Sequence, residues 1–108
     1  MEITKITDKY AVCSQPQTSD IEDIAAAGYA AVICNRPDDE DPDQPRARAV
    51  AAACEEAGIG FHHIPVSGTP LADAAVQEQS RIVESSPGPV LAYCRTGQRS
   101  KMLWQPSS

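Results

Sequence analysis

Apolar residues arrive along this chain in short, nearly unbroken runs. Tyr10-Ala11-Val12-Cys13, Ala30-Ala31-Val32-Ile33-Cys34 and Pro89-Val90-Leu91-Ala92-Tyr93-Cys94 are three of them. A weaker run spans Ile3 to Ile6, and another spans Phe61 to Val66 with two histidines inside it. Continuous rather than alternating hydrophobicity predicts strands buried on both faces, as in a parallel sheet. Between the runs, apolar residues fall at helical spacing. The first predicted helix opens on a capping box, Ser19-Asp20-Ile21-Glu22, shows Ile21, Ile24 and Ala25 on one face, and stops at Gly28. The second starts near Asp43 or Pro45, carries Ala47, Val50, Ala51 and Cys54 along one stripe, and ends at Gly58. The third opens at Thr69-Pro70 and runs to about Ser85, where Pro87-Gly88-Pro89 blocks it. A short fourth stretch runs from Ser100 to Trp104. This alternation predicts an α/β fold: a single domain over 1–108, with a mainly parallel four- to five-stranded sheet and helices on both faces.

Composition narrows the picture. The 108 residues suit one domain, and sixteen alanines against eighteen Ile, Leu and Val predict a small core with closely packed helices. A net charge of −6 argues against binding nucleic acid or an anionic membrane surface. No apolar run approaches the ~20 residues that span a bilayer. The opening Met1-Glu2-Ile3-Thr4-Lys5 lacks the basic-then-apolar order of a secretory signal, so the expectation is a cytoplasmic protein with reduced thiols. Cys13, Cys34, Cys54 and Cys94 form no C-x-x-C pair and match no zinc spacing, and no metal or organic cofactor is implied. Five acids crowd into the seven residues from Pro37 to Asp43, which reads as a solvated loop favouring the positive end of the following helix.

The chemistry concentrates at Tyr93-Cys94-Arg95-Thr96-Gly97-Gln98-Arg99-Ser100. An apolar strand ends in a cysteine, the chain turns, and a helical stretch begins. Such a loop aims backbone N–H groups into one concavity. Gly97 permits the positive φ that the turn requires. Arg99 adds a planar fork of donors suited to an oxyanion. A thiolate on the floor of this cradle is stabilised by the same dipoles that bind the anion it attacks. Cys94 is therefore the predicted nucleophile and Arg99 its catalytic partner. Arg95, Thr96, Gly97, Gln98 and Ser100 complete the anion-binding loop, with Ser100 expected to hydrogen-bond the thiolate.

These eight residues resemble the active loop of rhodanese-type sulfurtransferases and the cysteine loop of protein tyrosine phosphatases. Other segments resemble the phosphatase-like domain of the bacterial beta-lactamase-hydrolase-like protein family. They are Ser14-Gln15-Pro16, Ala27-Gly28-Tyr29, Val32-Ile33-Cys34-Asn35-Arg36-Pro37-Asp38-Asp39-Glu40, His63-Ile64-Pro65-Val66, and the Cys94 loop leading to Leu103-Trp104. The resemblance implies a protein tyrosine phosphatase-like fold, with the Cys94 strand between those ending at Cys13 and Cys34. Phosphatase loops of this class place five residues between cysteine and arginine. Here there are four, the rhodanese spacing. The dual-specificity phosphatases commonly supply an acidic residue where this chain has Ser67-Gly68-Thr69. Asp38, Asp39 or Glu40 stand as substitutes from the other loop, and nothing in the sequence selects one as the acid; Asp39 is kept only as a secondary site candidate. Sulfur transfer has less need of an acid, so the expectation leans to a sulfurtransferase working through a Cys94 persulfide. The alternatives are a phosphatase working through a Cys94 phosphocysteine, and a non-catalytic module sensing an anion or an oxidant.

Secondary candidates surround this centre. Arg36 is a candidate second anion contact, or else a salt-bridge partner of the acidic loop. Cys34 and Cys13 are candidate resolving thiols. His62 and His63 face opposite ways on a strand, one expected packed and one exposed, and neither takes a catalytic role. Arg95, Arg99 and Lys101 make the site locally cationic inside an acidic protein, which suits a small anionic or thiol-bound sulfur or phosphate substrate. Only nine residues follow Arg99, whereas the resemblance implies a longer helix after the loop. The domain is thus expected to lack part of its C-terminal helix, and the lost cover favours a homodimer.

Overall fold

The computed structural model describes residues 2–67 and 71–104. Five strands form one sheet in the order β1-β2-β5-β3-β4: β1 Ile3–Lys5, β2 Tyr10–Cys13, β3 Ala31–Cys34, β4 Gly60–His63 and β5 Val90–Tyr93. β2, β5, β3 and β4 run parallel, and β1 pairs antiparallel with β2. The sheet is therefore mixed, with a parallel body and one antiparallel edge. The Cys94 strand is central, between the strands ending at Cys13 and Cys34, as the resemblance implied. Every residue of β2, β3 and β5 is buried, which explains why these three read as continuous apolar runs.

Strand alternation divides the core in two. Ala11, Leu91, Val32, Cys13, Tyr93 and Cys34 point to one face, where they pack with Ile21 and Ile24 of α1 (Ile21–Ala26) and Val50 and Cys54 of α2 (Ala47–Ala57). Tyr10, Val12, Val90, Ala92 and Ile33 point to the other face, with Val83 of α3 (Asp73–Ser85) and Trp104 beyond α4 (Gln98–Met102). Tyr10 and Trp104 stack with ring centroids 4.9 Å apart. Helices thus cover both faces.

The starts of α1, α2 and α3 differ from those read in the sequence. The cap before α1 is built one turn earlier than Ser19. The Asp20 carboxylate accepts the Gln17 N–H at 2.8 Å, and a tight turn over Thr18–Asp20 leads into the helix. α2 begins at Ala47, two residues past the later of the two expected starts, Asp43 and Pro45, because Asp41, Asp43 and Gln44 close a turn of their own. The Asp38 carboxylate then accepts the Ala47 N–H at 2.7 Å. Gly58, in the left-handed conformation at φ 78°, ends that helix as expected. α3 is helical only from Asp73, and the Thr69-Pro70 cap lies outside the described residues. His62 and His63 are both exposed on the edge strand β4, so neither is packed.

Asp38→Ala should therefore loosen the start of α2. The expected cost is about 0.5–2 kcal/mol, read as a lower urea midpoint with an unchanged slope.

Candidate active site

The carboxyl ends of β2, β5, β3 and β4 gather at one edge of the sheet, where open α/β sheets place their ligands. β5 delivers Cys94 there, fully buried. The chain turns through Arg95 and Thr96 to Gly97 at φ 94°, and α4 starts at Gln98, two residues before the expected Ser100. A side chain at Gly97 would strain the backbone. Its Cβ would meet the Cys13 carbonyl at 3.4 Å, an ordinary contact, so the backbone conformation is what calls for glycine.

This turn folds the backbone over the sulfur. The Gly97 N–H points at Cys94 Sγ across 3.0 Å. Burial is the largest influence on the thiol and pushes its pKa up. The N–H groups of Ser100, Thr96, Gly97 and Arg99 together outweigh it, so Cys94 lies below the ordinary cysteine value. The other thiols show what burial does without such donors: Cys13 is pushed up to about 12 and Cys54 to about 11. Ser100 helps through its backbone. Its hydroxyl donates to Asn35 Oδ1 at 2.8 Å. Arg95, Thr96 and Gln98 are exposed. Thr96 and Gln98 border a groove of about 350 Å³ shared with Ser14 and Lys101.

Arg99 stands at the rim and is held in place. Both its terminal nitrogens reach Glu40, with Nη2 donating to Oε1 at 2.7 Å, and Nη1 also donates to the Val66 carbonyl at 2.8 Å. Its charge and that of the Cys94 thiolate are close enough to favour one another. Glu40 in turn accepts from Arg36 Nε at 3.0 Å. Arg36 is buried, with Nη1 donating to Gln15 Oε1 at 3.0 Å. The carboxylate thus bridges two guanidinium groups. Hydrogen bonds from Arg99 do most to hold its pKa below the ordinary glutamate value; burial opposes them and Arg36 adds to them.

Several candidates take other places. Arg36 directs its nitrogens to Glu40 and Gln15, so it braces Arg99 through Glu40. Cys34 packs on the α1–α2 face and donates weakly to the Arg36 carbonyl at 3.3 Å, on the opposite side of the sheet from the alternation expected of Cys94. Burial raises its pKa. Asp39 is exposed. Asn35, Gln79 and Tyr10, which form a buried network behind the loop, were not foreseen. Gln79 did leave a trace, as a polar residue between Val76 and Val83 on an otherwise apolar stripe.

The model of the beta-lactamase hydrolase-like protein, phosphatase-like domain family matches residues 2–108. The chain belongs to that family. A beta-lactamase hydrolase-like protein from Xylella fastidiosa (strain Temecula1) is 36% identical over 104 residues, covering 96% of this chain and 24% of the relative. The chain thus spans about a quarter of the length of the curated relatives it matches. A candidate phosphatase from Neisseria meningitidis Z2491, solved as a crystal structure, is 38% identical at a TM-score of 0.88, covering 96% of this chain and 74% of that one. The structure of P. aeruginosa TpbA in complex with pTyr aligns at a TM-score of 0.69 and 16% identity, over 94% of this chain and 58% of that one. That likeness concerns the fold. This phosphatase-like domain therefore carries a tyrosine-phosphatase-like architecture. Among its described residues, no helix is long and apolar enough to cross a membrane.

Glu40 sets an acid limit on stability. Its folded pKa lies below the unfolded value of about 4.3. The contribution is therefore complete above that value and is lost as pH falls through the folded pKa. Glu40→Gln should be less stable at pH 7 and should lose less further stability from about pH 5 to 2, as followed by thermal unfolding.

Proposed function

We propose that this domain is a cysteine-nucleophile hydrolase of the phosphatase-like class, acting on small phosphate esters. The observation that carries the reading is the convergence of the Ser100, Thr96, Gly97 and Arg99 N–H groups on a buried Cys94 whose pKa is lowered. Cys94 thiolate attacks phosphorus, the bond to the leaving oxygen breaks, and that oxygen takes the electron pair. The loop N–H groups and Arg99 stabilise the charge on the transferring oxygens. Water then attacks the phosphocysteine and releases phosphate and the thiolate. The family model and the phosphatase-like relatives support this order of preference over sulfur transfer, the reading favoured by the loop spacing and the missing acid.

The acid side of the reaction limits the substrate. Glu40 stays ionised between two arginines, and Asp38 is committed to the start of α2. Asp39 is the remaining carboxylate of the original three, exposed at the loop. A site without a buried proton donor works best on leaving groups that depart as anions, such as aryl oxides. Asp39→Asn is accordingly a mild substitution for an aryl phosphate and a larger one for an alkyl phosphate.

The same observation favours a second reading. In sulfur transfer from thiosulfate, Cys94 attacks the outer sulfur, the S–S bond breaks, and sulfite leaves with the electron pair and needs no proton. An acceptor thiolate then takes the sulfur from the Cys94 persulfide. The four residues between Cys94 and Arg99 fit that reaction.

Incubation with an aryl phosphate and, separately, with thiosulfate decides between them. Phosphate release, lost in Cys94→Ser and reduced by a factor on the order of 10²–10³ in Arg99→Lys, supports the hydrolase. A mass gain of one sulfur at Cys94, without phosphate release, overturns it in favour of sulfur transfer. Neither product would overturn both.

A further inference from the structure

Behind the cysteine loop, four side chains close a hydrogen-bond circuit that the chemistry above does not use. Gln79 of α3 is fully buried. Its amide nitrogen donates to the Tyr10 hydroxyl and to Asn35 Oδ1, each at 3.0 Å. Its amide oxygen accepts from Asn35 Nδ2 at 3.0 Å. The second Asn35 Nδ2 hydrogen goes to the Ile64 carbonyl at 3.0 Å. Tyr10 then donates its hydroxyl hydrogen to the Ser100 carbonyl at 2.5 Å, and the Ser100 hydroxyl donates to Asn35 Oδ1 at 2.8 Å. All four amide hydrogens of Gln79 and Asn35 are used.

Cohesion alone does not call for this arrangement. Buried polar groups cost free energy unless all are paired, and an apolar set of the same shape is often as stable. What the circuit adds is direction. Ser100 is gripped from two sides, by Asn35 at its hydroxyl and by Tyr10 at its carbonyl. Its N–H is one of those facing the Cys94 sulfur. Gln79 holds both grips at once, from a helix that is otherwise remote from the loop.

We infer that Gln79 is a positioning residue for Cys94: by clamping Tyr10 and Asn35 it holds Ser100 where the loop N–H groups converge on the sulfur. The inference rests on Cys94 being the nucleophile, but not on which group it accepts. The titratable and charged groups facing Cys94 are Arg99, Tyr10 and Cys13. Burial raises the pKa of Tyr10 and of Cys13, so both are neutral at neutral pH and Arg99 alone is charged. Since Arg99 does not titrate in the working range, the pH dependence of Cys94 reactivity reports the loop donors.

The test is the rate of iodoacetamide alkylation at Cys94 from pH 5 to 9.5, read by peptide mass in wild type, Gln79→Met, Tyr10→Phe and Val83→Ala. In Gln79→Met the rate at pH 6 should fall about tenfold while the rate at pH 9.5 changes less than about twofold, the signature of a raised thiol pKa. Tyr10→Phe keeps the stack on Trp104 and removes the hydroxyl, and it should shift the profile in the same direction. Val83→Ala, on the same helix but outside the circuit, should lower stability and leave the profile in place. A folded Gln79→Met with the wild-type profile overturns the inference, as does an equal shift in Val83→Ala. If Gln79→Met does not fold, Tyr10→Phe decides alone, and an unshifted profile there overturns it. A wild-type Cys94 that reacts only in the range of a free thiol overturns the nucleophile reading itself, whatever Gln79 does.

Discussion

A sulfur buried at the end of the central strand is met by peptide N–H groups that favour its ionised form. The sheet by itself does the opposite. Cys13 and Cys54 are buried in the same domain, and burial drives both thiols well above the ordinary range. Cys94 is equally buried, yet it falls below that range because the chain doubles back over it. That reversal depends on the positive φ of Gly97, which turns the chain back beside the Cys13 carbonyl. The site is therefore a local exception to the dielectric of its own core, made by backbone rather than by charged side chains.

Charge is arranged one layer further out. Arg36 is buried, and such a group is tolerable only when its hydrogens are matched. Glu40 matches it and at the same time grips Arg99, so one carboxylate ties a structural cation to a functional one. The arrangement fixes the Arg99 guanidinium beside the Cys94 loop, between Glu40 and the Val66 carbonyl. It also removes Glu40 from proton donation, because the pairing that holds Arg99 keeps the carboxyl ionised.

How far the site was legible follows from how local each part is. Cys94, Gly97 and Arg99 sit within six residues, and strand, turn and helix start dictate how they face one another. The strand order was legible too, through resemblance, and the continuous apolar runs of β2, β3 and β5 marked burial on both faces. The cap before α1 was misplaced because Ser19-Asp20-Ile21-Glu22 and Gln17-Thr18-Ser19-Asp20 offer rival local patterns, and the tight turn at Thr18 selects the second. The start of α2 was misplaced because its first N–H is met by Asp38, nine residues back, after the intervening acids have closed their own turn. Gln79 was hidden for a stronger reason: its partners lie 44 and 69 residues away.

The sequence by itself determined that a cysteine would stand at the end of a buried strand, with a glycine-shaped turn and an arginine following it. Those features need only neighbouring residues and their φ, ψ and periodicity. The tertiary structure alone decided which carboxylate meets Arg99, where the Ser100 hydroxyl goes, and which acid of the loop Arg36 pairs with. These outcomes depend on which side chains from distant segments converge at the sheet edge, and on which buried donors and acceptors there meet one another.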